Sequence, residues 1–161
     1  MAVKKVLQYG DPILRQKSKE VAKVSRKIQV LCDDLLDTMY AQNGVGLAAP
    51  QIGVNLRVFV VDVSTGNNGK FNPMVFINPK IIKKSGAVNS YEGCLSFPNK
   101  FAKVIRPKEV VAEYTNREGK RMKIKAKDLL AQAICHEVDH LNGEVFVDKI
   151  VPGTMEYAEE K

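Results

Sequence analysis

His136 and His140 are the only histidines in the chain, and they stand four residues apart in His136-Glu137-Val138-Asp139-His140. On a helix, residues at i and i+4 lie on one face, a turn apart. Two imidazoles so placed can ligate one divalent ion while Glu137 between them reaches toward a water on that ion. The motif constrains the whole fold. A catalytic metal site needs at least a third protein ligand and one open position, so a distant part of the chain must reach this helix.

The third ligand cannot be a histidine, since none is left. The strongest candidate is Cys94, in Tyr91-Glu92-Gly93-Cys94-Leu95-Ser96. A thiolate binds Zn or Fe(II) well, and Gly93 lets the backbone approach closely. A distant glutamate is the open alternative. Cys135 adjoins His136, but helix neighbours diverge by about 100°, so it is expected to point away from the ion. Cys32 lies among apolar residues and reads as core. Three cysteines are an odd and sparse set, which argues against a disulfide framework.

Gly44-Val45-Gly46-Leu47-Ala48-Ala49 superficially matches the dinucleotide fingerprint. That fingerprint needs a strand before it and a helix after it. Here a helical pattern precedes it and Pro50 follows, so the nucleotide reading is rejected. The segment reads instead as a glycine-rich wall that lets a peptide backbone come close, with the Gln51 amide at its end.

The 161 residues, 45% of them hydrophobic, fit a single domain (1–161, with a short tail from about 152) that is stable without disulfides. No apolar run approaches the roughly 18 residues of a membrane span, and the N-terminus lacks a secretory signal. A cytoplasmic protein with no membrane association is expected. The net charge of +7, from 25 basic and 18 acidic residues, could favour an acidic surface such as RNA or the ribosome. The basic residues are scattered, however, and no aromatic RNA-binding signature accompanies them. A solvated basic surface with no specific nucleic-acid site is the simpler reading.

Apolar periodicity predicts a first helix over 25–42, with Ser25 as N-cap and Asn43-Gly44 as stop. A glycine-rich loop is expected over 44–51, a buried strand over 57–63 and a Gly/Asn loop over 64–72. Further strands are expected at 74–77, 80–83, 103–105, 110–114, 122–125 and 145–150, with a turn at 117–120. The second helix should run over 127–141 and stop at Asn142-Gly143, and the regular structure should end at 151–153. The fold class is then α+β, mostly antiparallel sheet around a buried helix that carries the HExxH metal motif.

Three segments together resemble the peptide deformylase family. They are Gly44-Val45-Gly46-Leu47-Ala48-Ala49-Pro50-Gln51, then Glu92-Gly93-Cys94-Leu95-Ser96, then His136-Glu137-Val138-Asp139-His140, in the family's order and spacing. Asp11-Pro12-Ile13-Leu14-Arg15 also resembles the family, and the likeness covers roughly residues 3–150. It implies Cys94, His136 and His140 as metal ligands, with a water in the fourth place. It implies Glu137 as general base and then general acid. The Gln51 amide and the Leu95 backbone N–H would stabilise the oxyanion, and Glu92 would pair with a downstream arginine, best matched by Arg106. The bland alternative for that pair is a surface ion contact of about 0–1 kcal/mol.

The implied reaction is hydrolysis of the formyl group from N-formylmethionine on new proteins, releasing formate. The implied cofactor is one divalent ion, Fe(II) natively, with Zn(II), Ni(II) or Co(II) able to replace it. The methionine side chain needs an apolar pocket, for which Val45, Gly46, Leu129 and Ala133 are candidates; Leu129 could instead be core. Cys135 departs from the family, where glutamine is usual. The acidic end, Glu156-Tyr157-Ala158-Glu159-Glu160-Lys161, departs from the basic helix by which better-known members dock on the ribosome. Any weak ribosome association would fall to the basic body. A zinc endopeptidase would explain the histidine pair but not Cys94, Gln51 or the glycine loop. A structural metal module would need a fourth ligand, and Asp139 and Cys135 are badly directed for it. A shift to another acyl group is the remaining rival.

Overall fold

The computed structural model describes residues 2–64, 71–145, 148–154 and 156–157. Its sheet is built around an apolar strand. In β2 (Val58–Val61) all four residues are buried. Alternation sends Val58 and Val60 to one face and Phe59 and Val61 to the other. The first pair joins a core with Leu31, Leu35 and Met39 of α1 (Arg26–Ala41), and the second joins Ala131 and Ile134 of α2 (Asp128–Leu141). A continuous apolar run is what a strand covered on both faces requires.

β2 sits between β1 (Gly46–Ala48) and β3 (Met74–Ser85), followed by β6 (Glu109–Thr115) and β7 (Arg121–Lys127), in a five-stranded sheet whose paired neighbours are all antiparallel. A second sheet pairs β4 (Val88–Cys94), β5 (Phe97–Arg106) and β8 (Glu156–Tyr157). With the two α-helices of the described residues this is the α+β class expected. α1 begins at Ser25, whose side chain accepts from the Ile28 N–H. α2 ends against a clamp, since the Leu141 carbonyl accepts from both the Ser18 N–H and the Arg57 guanidinium.

Several expectations need correction. The 44–51 segment is not all loop: it forms β1 and then a 3-10 turn, Ala49–Ile52, which places Gln51. The two strands expected over 74–83 are one strand carrying two register shifts, with Asn78 at positive φ inside the first. β4 was not expected at all. No strand forms over the described part of 145–150: Ile150 makes an isolated bridge to Val104, and Val145 packs in a core with Phe97 and Ala102. Regular pairing resumes beyond 153, in β8. The 64–72 loop and the acidic end lie largely outside the described residues.

Candidate metal centre

α2 is buried along most of its length although it carries His136, Glu137, Asp139 and His140. Burying such groups is costly unless they are partnered. Strands β4 and β5 supply partners for His136, His140 Nε2 and Asp139, whereas Glu137 Oε1 and His140 Nδ1 have none among the described residues. Opposite the helix, the β4–β5 register slips between Gly93 and Cys94, so that Gly93 pairs with Phe101 but Cys94 with Phe97. A bulge of this kind re-aims a side chain. Here it sends the Cys94 thiol to within 3.3 Å of His140 Nε2. Gly93 is needed at the crossing, because a Cβ there would lie 2.7 Å from the Phe101 ring.

Cys94, His136 and His140 each offer a ligand atom, and these atoms lie within 4.8 Å of one another. The three positions predicted from the sequence therefore converge. One thiolate and two imidazoles form a donor set suited to Zn or Fe(II), and the cluster fits one ion. His136 is set by its far nitrogen. Its Nδ1 lies 2.8 Å from Glu92 Oε1, which leaves Nε2 for the cluster.

Glu92 is in turn gripped by Arg106, through Nε to Oε2 and Nη2 to Oε1, both at 2.8 Å. Arg106 Nη1 also donates to Asp139 at 2.6 Å, and Lys149 bonds the other Asp139 oxygen at 3.0 Å. Arg106 is only 3% exposed and Glu92 8%. The surface-contact reading of this pair is thus overturned. Asp139, weighed in the sequence only as a misdirected ligand, is the second anchor of Arg106.

The electrostatics follow from this packing. Burial pushes the Glu92 carboxyl up, but Arg106 and His136 outweigh it and hold it at about 2. Burial lowers His136, yet its bonds to Cys94 and Glu92 raise it overall. Burial and the neighbouring His136 push His140 well down. Glu137 has no such partner. Burial lifts its carboxyl to about 7, and its Oε1 is buried with no hydrogen bond among the described residues. A carboxylate poised near neutrality suits proton transfer in both directions.

Gln51 stands beside the cluster. Its Oε1 accepts from the Ala48 N–H at 3.0 Å, and its Nε2 donates to Ser96 Oγ at 3.1 Å and Cys94 Sγ at 3.4 Å. Leu95 follows the ligand cysteine on the rim. A cavity of about 500 Å³ opens over the cluster, with Val45, Gly46, Leu129, Ala133 and Glu137 in its wall. All four predicted pocket residues therefore face it. Leu129 is half exposed rather than core. Gly46 carries a specific burden, since a Cβ there would lie 2.6 Å from Glu137 Oε2.

Sequence reasoning missed Ser96 as the anchor of Gln51, and missed Tyr91 and Phe101, whose stacked rings (centroids 5.9 Å apart) wall the same cavity. The Tyr91–Phe101 contact depends on the unpredicted β4. Cys135, as expected, faces away from the cluster and is buried.

Comparison with known proteins gives a consistent result. The family model for polypeptide deformylases matches residues 3–155. Peptide deformylase 1 of Clostridium acetobutylicum is 47% identical over 150 residues, covering 93% of this chain and 96% of the relative. The peptide deformylase of Bartonella henselae is 50% identical over 149 residues, covering 92% and 84%. Among solved structures, a peptide deformylase from Legionella pneumophila superposes with TM-score 0.88 at 40% identity, covering 94% of this chain and 88% of that one. The Ehrlichia chaffeensis enzyme in complex with actinonin gives 0.89 at 39% identity, covering 94% and 91%.

Proposed function

The chain belongs to the peptide deformylase family, and from this premise we propose how its residues divide the metal-dependent removal of the N-formyl group from formylmethionine on newly made proteins. The observation that carries the assignment is the Cys94–His136–His140 cluster at the base of a cavity, beside the Glu137 carboxyl whose Oε1 has no hydrogen bond among the described residues. Cys94, His136 and His140 hold one divalent ion, Fe(II) natively, with Zn(II), Ni(II) or Co(II) as functional replacements. When bound, the ion supplies Lewis acidity, polarising the formyl carbonyl and lowering the pKa of water to about 7.

Glu137 takes the proton from the attacking water onto its carboxylate and returns it to the nitrogen of the departing amine. Burial lifts its carboxyl to about 7 in the metal-free site, and a bound cation would draw it down toward the ionised form that accepts the proton. Stabilisation of the oxygen on which charge develops is assigned to the Leu95 backbone N–H and to the Gln51 Nε2–H that rests on Cys94 Sγ and would turn from it to the substrate. Losing one such donor typically costs about 2.7–4 kcal/mol. Glu92 holds His136 in the tautomer that presents Nε2, and Arg106 keeps Glu92 ionised to do so. Val45, Gly46, Leu129 and Ala133 receive the methionine side chain.

The substrates are N-formylmethionyl peptides of nascent chains, which places the work in the cytoplasm. Among the described residues no helix is long and apolar enough to cross a membrane. The net charge of +7 supports a weak, salt-sensitive association with ribosomes through the basic body. The test is formate release from formyl-Met-Ala-Ser by protein purified anaerobically with Fe(II), or loaded with Ni(II), beside Glu137→Ala. Turnover by the wild type, and its loss in a variant that retains the ion, is the expected outcome. Near-wild-type turnover in the variant would refute the role of Glu137. No turnover by folded, metallated wild type would refute the substrate.

A further inference from the structure

Behind α2, on the side away from the metal cluster, lies a second cavity of about 410 Å³ that no step above uses. Ligand sites commonly start at about 300 Å³. Its charge is unbalanced: Arg57, Lys80, Lys84, Arg106 and Lys149 meet only two carboxylates, Asp139 and Glu144. Both carboxylates are already engaged. Arg106 and Lys149 bind Asp139, and Lys149 also reaches Glu144 at 3.4 Å.

The surplus therefore rests on Arg57, Lys80 and Lys84. Among the described residues none of these is in a salt bridge; the Arg57 guanidinium bonds the neutral Leu141 carbonyl and Asn142 Oδ1, and Glu20 acts on it only at longer range. The position of Lys84 is a product of the second irregularity in β3. Ile81 pairs with Ala112, but Lys83 pairs with Val111, so Ile82 is an extra residue. In a regular strand Lys84 would share the outward face with Ile82. The bulge instead sets Lys84 opposite Val110, a core residue of the α2-facing side. Pro79, Ile81 and Ile105 add apolar wall to the same cavity.

We propose that this cavity binds a small organic phosphate with two or more negative charges, its oxygens on Arg57, Lys80 and Lys84 and its organic body against Ile81 and Ile105. A concave surface of one sign focuses its field on an incoming anion, and guanidinium and ammonium donors match phosphate oxygens. The site is separate from the metal centre and does not depend on the reaction assigned to it.

The experiment is an amide-resolved NMR titration of the diamagnetic, zinc-loaded protein with adenosine 5′-diphosphate. Saturable shifts are expected at Lys80, Ile81, Lys84 and Asn142, without shifts at Val45, Gly46 or Cys94. The exposed-residue variant Lys80→Glu/Lys84→Glu should weaken binding about tenfold or more. Lys123→Glu/Lys125→Glu, the same charge change on the exposed face of β7, should not. Four results would overturn the proposal. They are no saturation at millimolar ligand, shifts centred on the metal site, equal weakening by the two double variants, and a short single-stranded RNA that shifts the same amides at lower concentration than the diphosphate.

Discussion

Replacing Arg106 with methionine should unsettle the site without touching a metal ligand. The guanidinium makes two bonds to Glu92 and one to Asp139, all in buried surroundings. Methionine fills part of the volume but leaves Glu92 to His136 alone and Asp139 to Lys149 alone. The magnitude can be worked from Glu92. Its carboxyl is held at about 2 instead of 4.5, and each pH unit is worth about 1.4 kcal/mol, giving about 3 kcal/mol for the whole network. Breaking a buried pair from one side typically costs about 3–5 kcal/mol, which agrees. A carboxylate with a depressed folded pKa contributes above its unfolded value and loses that contribution as pH falls toward the folded one. The stability gap between wild type and Arg106→Met should therefore be full from about pH 7 to about pH 5 and narrow below about pH 4.5. Urea unfolding with chelator present, so that ion affinity does not enter, measures it. Ion affinity, measured separately, should drop about 10–100-fold because His136 loses its fixed orientation. A gap below about 1 kcal/mol, the range of an exposed pair, would refute the reasoning. So would a gap that stays constant on acidification.

Gly46→Ala should fold, because the atoms its Cβ would crowd, Oε2, Cδ and Cγ at 2.6, 3.1 and 3.2 Å, all belong to the Glu137 side chain rather than to backbone. Displacing that carboxylate should lower kcat/KM by about 100-fold with the ion retained; unchanged turnover would show that Glu137 has room to spare. Glu137→Gln in the metal-free protein should be stabilising in a pH-dependent way. Burial raises Glu137 from 4.5 to about 7, so the wild-type contribution is intact below 4.5 and lost as pH rises through about 7. The variant should gain about 3 kcal/mol on the wild type above neutrality and nothing near pH 4, by urea unfolding; a pH-independent difference would contradict this. Leu129→Asn, at a half-exposed position, should leave the unfolding midpoint nearly unchanged. It should lower kcat/KM for formylmethionyl peptides by about tenfold, the worth of about 1.4 kcal/mol of lost apolar contact.

What the sequence revealed depended on whether a segment's burial was apolar. α1, β2, β6 and β7 were legible because their inward residues are hydrophobic, and α2 because an apolar flank with Ile134 and Leu141 and the Asn142-Gly143 stop accompany its buried polar motif. β4 was illegible for the opposite reason. Its inward positions are Ser90 and Glu92, buried at 3% and 8%, while the large Tyr91 faces out. Alternation of polar residues does not read as a strand, yet this strand carries both a ligand and the carboxylate behind another ligand. The metal ligands were legible because two of them share a helix. Glu92, Arg106 and Asp139 converge from β4, β5 and α2, a convergence that sequence spacing does not encode. The resemblance supplied the first pair, but not the burial that makes it strong or the third partner.

α2 is in effect a wall with chemistry on both faces. His136 and Glu137 line the first cavity and His140 turns to Cys94 of β4, while Cys135, Val138 and Asp139 turn toward the second cavity. Arg106, at the end of β5, joins the two faces by gripping Glu92 on one and Asp139 on the other. A lysine could keep the charge but could not reproduce three directed bonds from one planar fork. The contrast within the cluster then has a structural cause. Glu92, the carboxylate that positions His136, is paired with Arg106 and held ionised, while Glu137 lacks that bidentate grip and is pushed toward neutrality. One buried guanidinium thus separates the groups that must hold still from the one group that must exchange a proton.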